Sequence, residues 1–309
     1  MYIVKICINM YKVKYLAKKI LEKINYFLYI NYIRHFKKYL RLSSQPFISG
    51  DTFRSFARHK LDESSTVNYL KVKKNDILFI KGDFIEEFIK RDLNKLPDGV
   101  KVITHNSDVK ITEEFVNVFK EKNISWYIQN ASVDIRKIEN IHLIPIGFEN
   151  RNWFSNGKLK NLKNVEIPNE KIEKIFIGFN TNTNKERVKI LSVMDENDLT
   201  LFYRRTTHKE YLKQLAQCKV SLCPEGNGVD THRIWESLLV KTLPILLKTE
   251  FSLNLKAINV PMYLVDDWSE VNELTATQIS DVYENNAKSL NESNLVYSEY
   301  WQEFINKNR

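Results

Sequence analysis

Cysteine is nearly missing from this chain of 309 residues: there are three, Cys7, Cys218 and Cys223. So small and odd a set, without the paired spacing of zinc ligands, excludes a disulfide scaffold and fits buried free thiols in a reducing compartment. Glycine is also scarce, at eight residues. Its positions are therefore informative. Gly50, Gly147, Gly178, Gly226 and Gly228 stand where a predicted strand meets a loop, and glycine there lets backbone turn tightly and approach a ligand. Internal repeats and low-complexity stretches are lacking.

Acid is almost absent from the first 42 residues, which hold ten Lys and Arg against Glu22 alone. The remaining 37 basic and 37 acidic residues cancel, so the net charge of +9 belongs to this N-terminal arm. A neutral body argues against a nucleic-acid groove through the core, and no nucleic-acid partner is expected. Within the arm, Val13, Leu16, Ile20, Ile24 and Phe27 fall on one face of a helix. Its longest uncharged run, Ile24–Ile33, is about half the ~20 residues that a spanning helix needs. A small-residue cleavage site of signal-peptide type is missing too. Two readings follow: a basic amphipathic segment on an anionic membrane surface, or a helix packed on its own protein with a solvated basic face.

Beyond residue 42 short apolar runs alternate with amphipathic stretches. Strands are predicted at Asp76–Ile80, Val100–Thr104, Ser125–Ile128 and Leu143–Ile146, with helices at Phe84–Leu93 and Ile111–Lys120. The polar stretch Ser155–Lys174 interrupts the pattern. Strands resume at Ile175–Phe179, Leu199–Tyr203, Lys219–Cys223 and Pro244–Leu247, separated by helices at Asn184–Met194, His208–Cys218 and Thr231–Val240. This alternation predicts an arm (1–42) and two α/β domains (43–165 and 166–309) with parallel sheets facing a cleft.

The chemistry concentrates in Ser221–Glu236. An apolar strand ends at Cys223, and Pro224 stops pairing. Gly226, Asn227 and Gly228 form a turn that presents N–H groups, Asp230 is expected to cap the helix, and Thr231 opens it. Free N–H groups and the macrodipole make such a junction an anion site. Arg233 in the first turn can grip a diphosphate, and Glu236, three residues on, can accept from the two hydroxyls of a ribose. From spacing alone, an Arg/Glu surface pair behind a flexible loop fits equally well.

The pattern Cys-Pro-x-Gly-x-Gly-x-Asp-Thr-x-Arg-x-Trp-Glu, followed by Leu-Pro-Ile-Leu-Leu and Asp266-Asp267-Trp268, resembles the C-terminal half of exostosin-like glycosyltransferases. The resemblance is dense over Tyr211–Trp268 and thinner over Phe176–Arg187. It implies a GT-B fold of two Rossmann-like domains. A nucleotide-diphosphate sugar would be held by the second domain and the acceptor by the first, with inversion at the anomeric carbon. Glu225 stands where the family usually has Arg, which removes one phosphate contact.

Asn180, Thr181 and Arg187, at a second strand–loop–helix junction, and Arg204 and Arg205, after a predicted strand, are further candidates for the nucleotide. A base for the acceptor hydroxyl is sought at strand ends of the first half: Asp51, which Arg54 would keep ionised, then Glu149, His105 and Asp108. Asp266 and Asp267 are adjacent rather than spaced as Asp-x-Asp, and neither a second acidic cluster nor a His pair joins them. No metal is expected, and no cofactor beyond the sugar donor. The expected activity is sugar transfer to a glycan or glycolipid acceptor by a cytoplasmic protein, peripheral on a membrane face. The rival reading is a nucleotide- or anion-binding protein, without turnover, at a membrane surface.

Overall fold

The computed structural model describes residues 15–28, 41–153, 155–194, 197–203 and 207–307. Two five-stranded sheets, parallel throughout, account for the strand-forming runs. In the first, β1 (His59–Leu61), β2 (Ile77–Lys81), β3 (Lys101–His105), β4 (Ser125–Ile128) and β5 (Ile141–Leu143) lie in sequential order. Leu78, Phe79, Val102, Ile103, Trp126 and Tyr127 are fully buried. Central parallel strands covered on both faces read as continuous apolar runs, which is why they were legible. The edge strand β1 is short and polar, and no strand is predicted there.

The second sheet comprises β6 (Ile172–Ile177), β7 (Thr200–Phe202), β8 (Cys218–Leu222), β9 (Leu243–Leu247) and β10 (Tyr263–Val265), in the order β10-β9-β8-β6-β7. Counted from β6 this is the doubly wound order 2-1-3-4-5, and the winding reverses between β6 and β8. Ligands in such sheets lie in the crevice beyond the carboxyl ends of the strands at that switch point.

The domain boundaries differ from those expected. The short helix Leu159–Lys163 already packs on the helix His208–Gln217 of the second unit. At the other end, the last helix, Ser298–Lys307, returns to the first sheet. The Lys101 ammonium and the Tyr127 hydroxyl both donate to the Ile305 carbonyl, at 2.6 and 3.3 Å, and Trp301 packs edge-on to Phe53. A two-residue splice joins the termini of the first unit, with Ile48 N–H donating to the Val296 carbonyl and Ser298 N–H to that of Pro46. No helix is predicted from the sequence beyond Val240, so both this helix and its return to the first sheet are findings of the structure.

The N-terminal arm is helical over residues 15–28. Among the described residues no helix is long and apolar enough to cross a membrane.

Candidate functional site in the interdomain cleft

The two loops beyond the carboxyl ends of β6 and β8 face the first domain across a cleft of about 910 Å³. One buried guanidinium locks them together. Arg187 donates from Nε to the Glu225 carbonyl (2.8 Å) and from Nη2 to that of Pro224 (2.9 Å). From Nη1 it donates to the Asn180 carbonyl (2.9 Å) and the Thr183 hydroxyl (2.7 Å). Four of its five N–H groups are thus spent on the scaffold. Burial lowers its pKa to about 10, so it remains a cation at neutral pH. Where the sequence suggested a phosphate ligand, the structure has a staple. Asn180 caps the turn Thr181–Thr183 and lines the cleft, whereas Thr181 does not. Arg204 and Arg205 lie outside the described residues.

Arg233 is placed differently. It stands in the first turn of the helix His232–Leu239, and Nη2 donates to the Gly178 carbonyl at 2.9 Å. Among the described residues its buried Nε has no hydrogen-bond partner, nor has the buried hydroxyl of Thr231 at the helix N-cap. Phe179 lies between the Arg187 and Arg233 guanidinium groups, 5.5 and 5.6 Å from its ring. This fixes the direction of both cations.

Glu236 lines the cleft with one oxygen already engaged, since His208 Nε2–H donates to Oε1 at 2.8 Å. Burial works against its charge, but the His208 hydrogen bond and the charges of His208, His232 and Arg233 hold its pKa below the ordinary value. The buried Tyr211 hydroxyl stands beside Glu236 in the same wall, and burial together with the Glu236 charge keeps it protonated. Gly226, Asn227 and Gly228 also line the cleft, with Gly226 N–H bonded to the Gly228 carbonyl at 3.0 Å. At Gly228 close approach is the requirement, because a Cβ would stand 2.8 Å from Asn130 Oδ1.

The expected cap role of Asp230 needs correction. The cap position is Thr231, without a side-chain cap bond, while Asp230 joins the two domains. Its Oδ2 accepts from Ile146 N–H (2.7 Å), Oδ1 from Trp235 Nε1–H (3.0 Å), and its own N–H donates to Asn130 Oδ1 (3.0 Å). Burial raises its pKa to about 7. A buried carboxylate finds the donors that tertiary structure supplies, here Trp235, five residues on, and Ile146, 84 residues away. Glu225 also reaches across, to Lys110 at 3.6 Å.

The four base candidates occupy distinct environments. Asp51 is buried behind the cleft wall, where Arg41 Nη1 (3.3 Å) and Asn106 Nδ2 (3.2 Å) donate to it, and burial raises its pKa. Arg54, its expected partner, instead pairs with Asp62 at 2.6 Å. His105 has both nitrogens engaged, Nε2–H with the Pro145 carbonyl (2.9 Å) and Nδ1 with Asn106 N–H (2.6 Å). Burial lowers its pKa to about 4, so it is neutral and has no lone pair to offer. Asp108 is exposed at the cleft rim.

Glu149 alone of the four meets the helix His232–Leu239. His232 Nε2 stands 3.6 Å from its Oε2, and His232 Nδ1–H donates to the Gly147 carbonyl at 2.6 Å. Gly147 holds φ at +67°, and a Cβ there would lie 2.7 Å from the Ile48 carbonyl oxygen, so only glycine turns this carbonyl to the histidine. Burial raises the pKa of Glu149 against the opposing charge of His232. That of His232 also rises, since Glu149 and the Gly147 carbonyl outweigh the burial penalty.

His232, His208 and Tyr211 are the wall residues that the sequence did not reveal. The signal for His232 was its place in the first helical turn beside Arg233. Position 232 is unspecified in the motif, and its partners Glu149 and Gly147 lie in the other domain.

No family model matches the sequence, and no curated protein matches it. Among solved structures, an α,α-trehalose-phosphate synthase (UDP-forming) from Burkholderia vietnamiensis aligns with 76% of this chain and 75% of its own, at 9% identity and a TM-score of 0.42. The structure described as trehalose-6-phosphate from E. coli bound with UDP-2-fluoro glucose aligns over 76% and 74%, at 10% identity and 0.40. Arabidopsis thaliana UGT89C1 complexed with UDP-L-rhamnose aligns over 74% and 69%, at 10% identity and 0.36. These are distant likenesses, and the functional reading stands on the cleft itself.

Proposed function

We propose that this chain is a glycosyltransferase that moves a sugar from a nucleotide diphosphate to a hydroxyl of a glycan or glycolipid. The observation that carries the reading is the meeting of two half-sites. A helix N-terminus with an uncommitted Arg233 Nε lies at the switch point of one sheet, and the Glu149 carboxylate of the other domain faces that same helix.

In this reading Arg233, the N–H groups of Asn227 and Gly228 and the helix dipole bind the diphosphate. The free oxygen of Glu236 accepts from the ribose. Glu149, whose raised pKa makes it a better base than an ordinary carboxylate, takes the proton of the acceptor hydroxyl. The acceptor oxygen then bonds to the anomeric carbon from the face opposite the diphosphate. The bond from that carbon to the phosphate oxygen breaks, its electron pair leaves with the diphosphate, and configuration inverts. His232 orients Glu149 and holds a positive charge near it. Charge on the leaving group is met by Arg233 and by preorganised N–H groups, without a metal.

The reading includes a place on the cytoplasmic face of a membrane. Supporting it are the basic arm and the reduced, buried Cys218 and Cys223, whose pKa values burial raises to about 12 and about 11. The decisive experiment is a calorimetric screen of UDP- and GDP-sugars followed by donor hydrolysis. Binding and hydrolysis that both weaken in Arg233→Ala support the proposal. Binding without any turnover would favour a nucleotide-binding protein that is not an enzyme.

A further inference from the structure

The helix over residues 15–28 is amphipathic, and it packs on the protein with its polar face. At ~100° per residue, Tyr15, Lys18, Lys19, Glu22 and Tyr26 share one side. These five line the mouth of the cleft, and Tyr26 stacks on Trp153 with ring centroids 4.8 Å apart. Leu16, Ile20, Ile24 and Phe27 lie on the opposite side, flanked by Leu21 and Leu28, and these six side chains are 48–65% exposed. Leaving such side chains in water forgoes much of the stabilisation that burial would give them. A helix serving only to close the cleft would turn them inward.

We propose that this outward apolar face docks into the headgroup region of an anionic bilayer, so that the cleft mouth is held at the membrane surface. Charge identifies the occupant. The first 42 residues carry ten basic groups against one acid, and Lys23 is exposed at the edge of the apolar stripe. Residues 43–309 are balanced, so a second copy of the chain offers no net negative charge to match the arm. The helix, ~20 Å over its fourteen described residues, suits lying in the interface rather than spanning it. Trp153 and Tyr26, both partly exposed beside it, are side chains that favour the boundary between water and lipid. Docking stands on the helix alone; its consequence, an acceptor presented by the membrane, rests on the glycosyl-transfer reading.

The test uses the full chain and phosphatidylcholine vesicles with and without phosphatidylglycerol, read by flotation. The expected result is flotation with the anionic vesicles, weakened by salt, and at least about tenfold less bound protein for the triple variant Ile20→Ser, Ile24→Ser, Phe27→Ser. These three side chains do not line the cleft, so nucleotide-sugar binding by the variant serves as the folding control. Wild-type protein that stays with the unbound fraction, or a variant that floats equally well, overturns the proposal. A dimer seen by light scattering, broken by the triple variant and indifferent to lipid, would assign the face to a second copy instead. Flotation that persists while donor turnover is absent would sink the transferase reading and leave docking intact.

Discussion

His232 stands on the first turn of the donor-side helix, and its Nε2 lies 3.6 Å from Oε2 of Glu149 in the opposite domain. The pair spans the cleft, so the proposed base is oriented only while the two domains are together. Replacing Glu149 by Gln should lower kcat by about 10²–10⁴-fold with little change in donor affinity. A base must be unprotonated, so wild-type kcat should fall as pH drops through a pKa above the ordinary carboxylate range, and this acid limb should vanish in the variant. An unchanged kcat in Glu149→Gln would remove it from the mechanism.

Arg233→Ala should weaken donor binding by roughly 2 kcal/mol, about thirtyfold, the usual worth of a charge-assisted hydrogen bond. Its thermal midpoint should hardly move, since among the described residues its side chain makes one hydrogen bond, to the Gly178 carbonyl. Calorimetry and a melting curve on the same preparation provide the check.

Arg187→Ala should behave in the opposite manner. It leaves the carbonyls of Pro224, Glu225 and Asn180 without their donor, so stability should fall by about 3 kcal/mol or more. Loss of donor affinity should follow from the loosened loops. A variant with wild-type stability and weak binding would mean that Arg187 is a ligand after all.

His105 makes stability depend on pH. Its folded pKa of about 4 lies below the unfolded ~6.5, so the unfolded chain binds the extra proton and the folded state loses stability as pH falls from 6.5 toward 4. At pH 5 the loss is on the order of 2 kcal/mol relative to pH 7.5. Denaturant unfolding should show a smaller pH dependence in His105→Gln, even though that variant is less stable at pH 7.5. Parallel pH profiles would assign the acid sensitivity elsewhere.

Excess EDTA should leave transfer intact. Asp266 and Asp267 lie at the surface and do not line the cleft; the Asp266 carboxylate pairs with Lys248 at 3.5 Å and that of Asp267 accepts from Ser269. Activity abolished by EDTA and restored by manganese would mean that a metal acts with the diphosphate.

Strands β2 to β4 and β6 to β9 were legible because parallel strands are continuous apolar runs, whereas the short edge strands β1 and β10 and the helices beyond Val240 were not. The loops at the β6 and β8 ends were legible too, because glycine and proline are rare here and mark turns. Partnership across the cleft was not. Asp230 looked like a cap and became an interdomain tie, Arg54 took Asp62 and left Asp51 to Arg41, and Arg187 became a staple. Local spacing reports which groups are near in sequence. A buried charge is settled by whichever partner the fold brings, and the sequence holds no local trace of that choice. The helical arm was found, but its orientation on the body was not, since both faces have enough contact surface to pack.

The return of the last helix to the first sheet means that the polypeptide passes between domains twice, between Asn150 and Leu159 and again between Asn291 and Val296. Two covalent links act like a door on a pair of hinges. Swinging about the line that joins them is easy, while twisting across it pulls on both linkers. Any opening and closing of the cleft is thereby guided along one track, which returns His232 to Glu149 in the same register on every cycle. A donor domain excised from this chain for transplantation would have to bring that tail, or leave the recipient with a bare sheet and a single loose hinge.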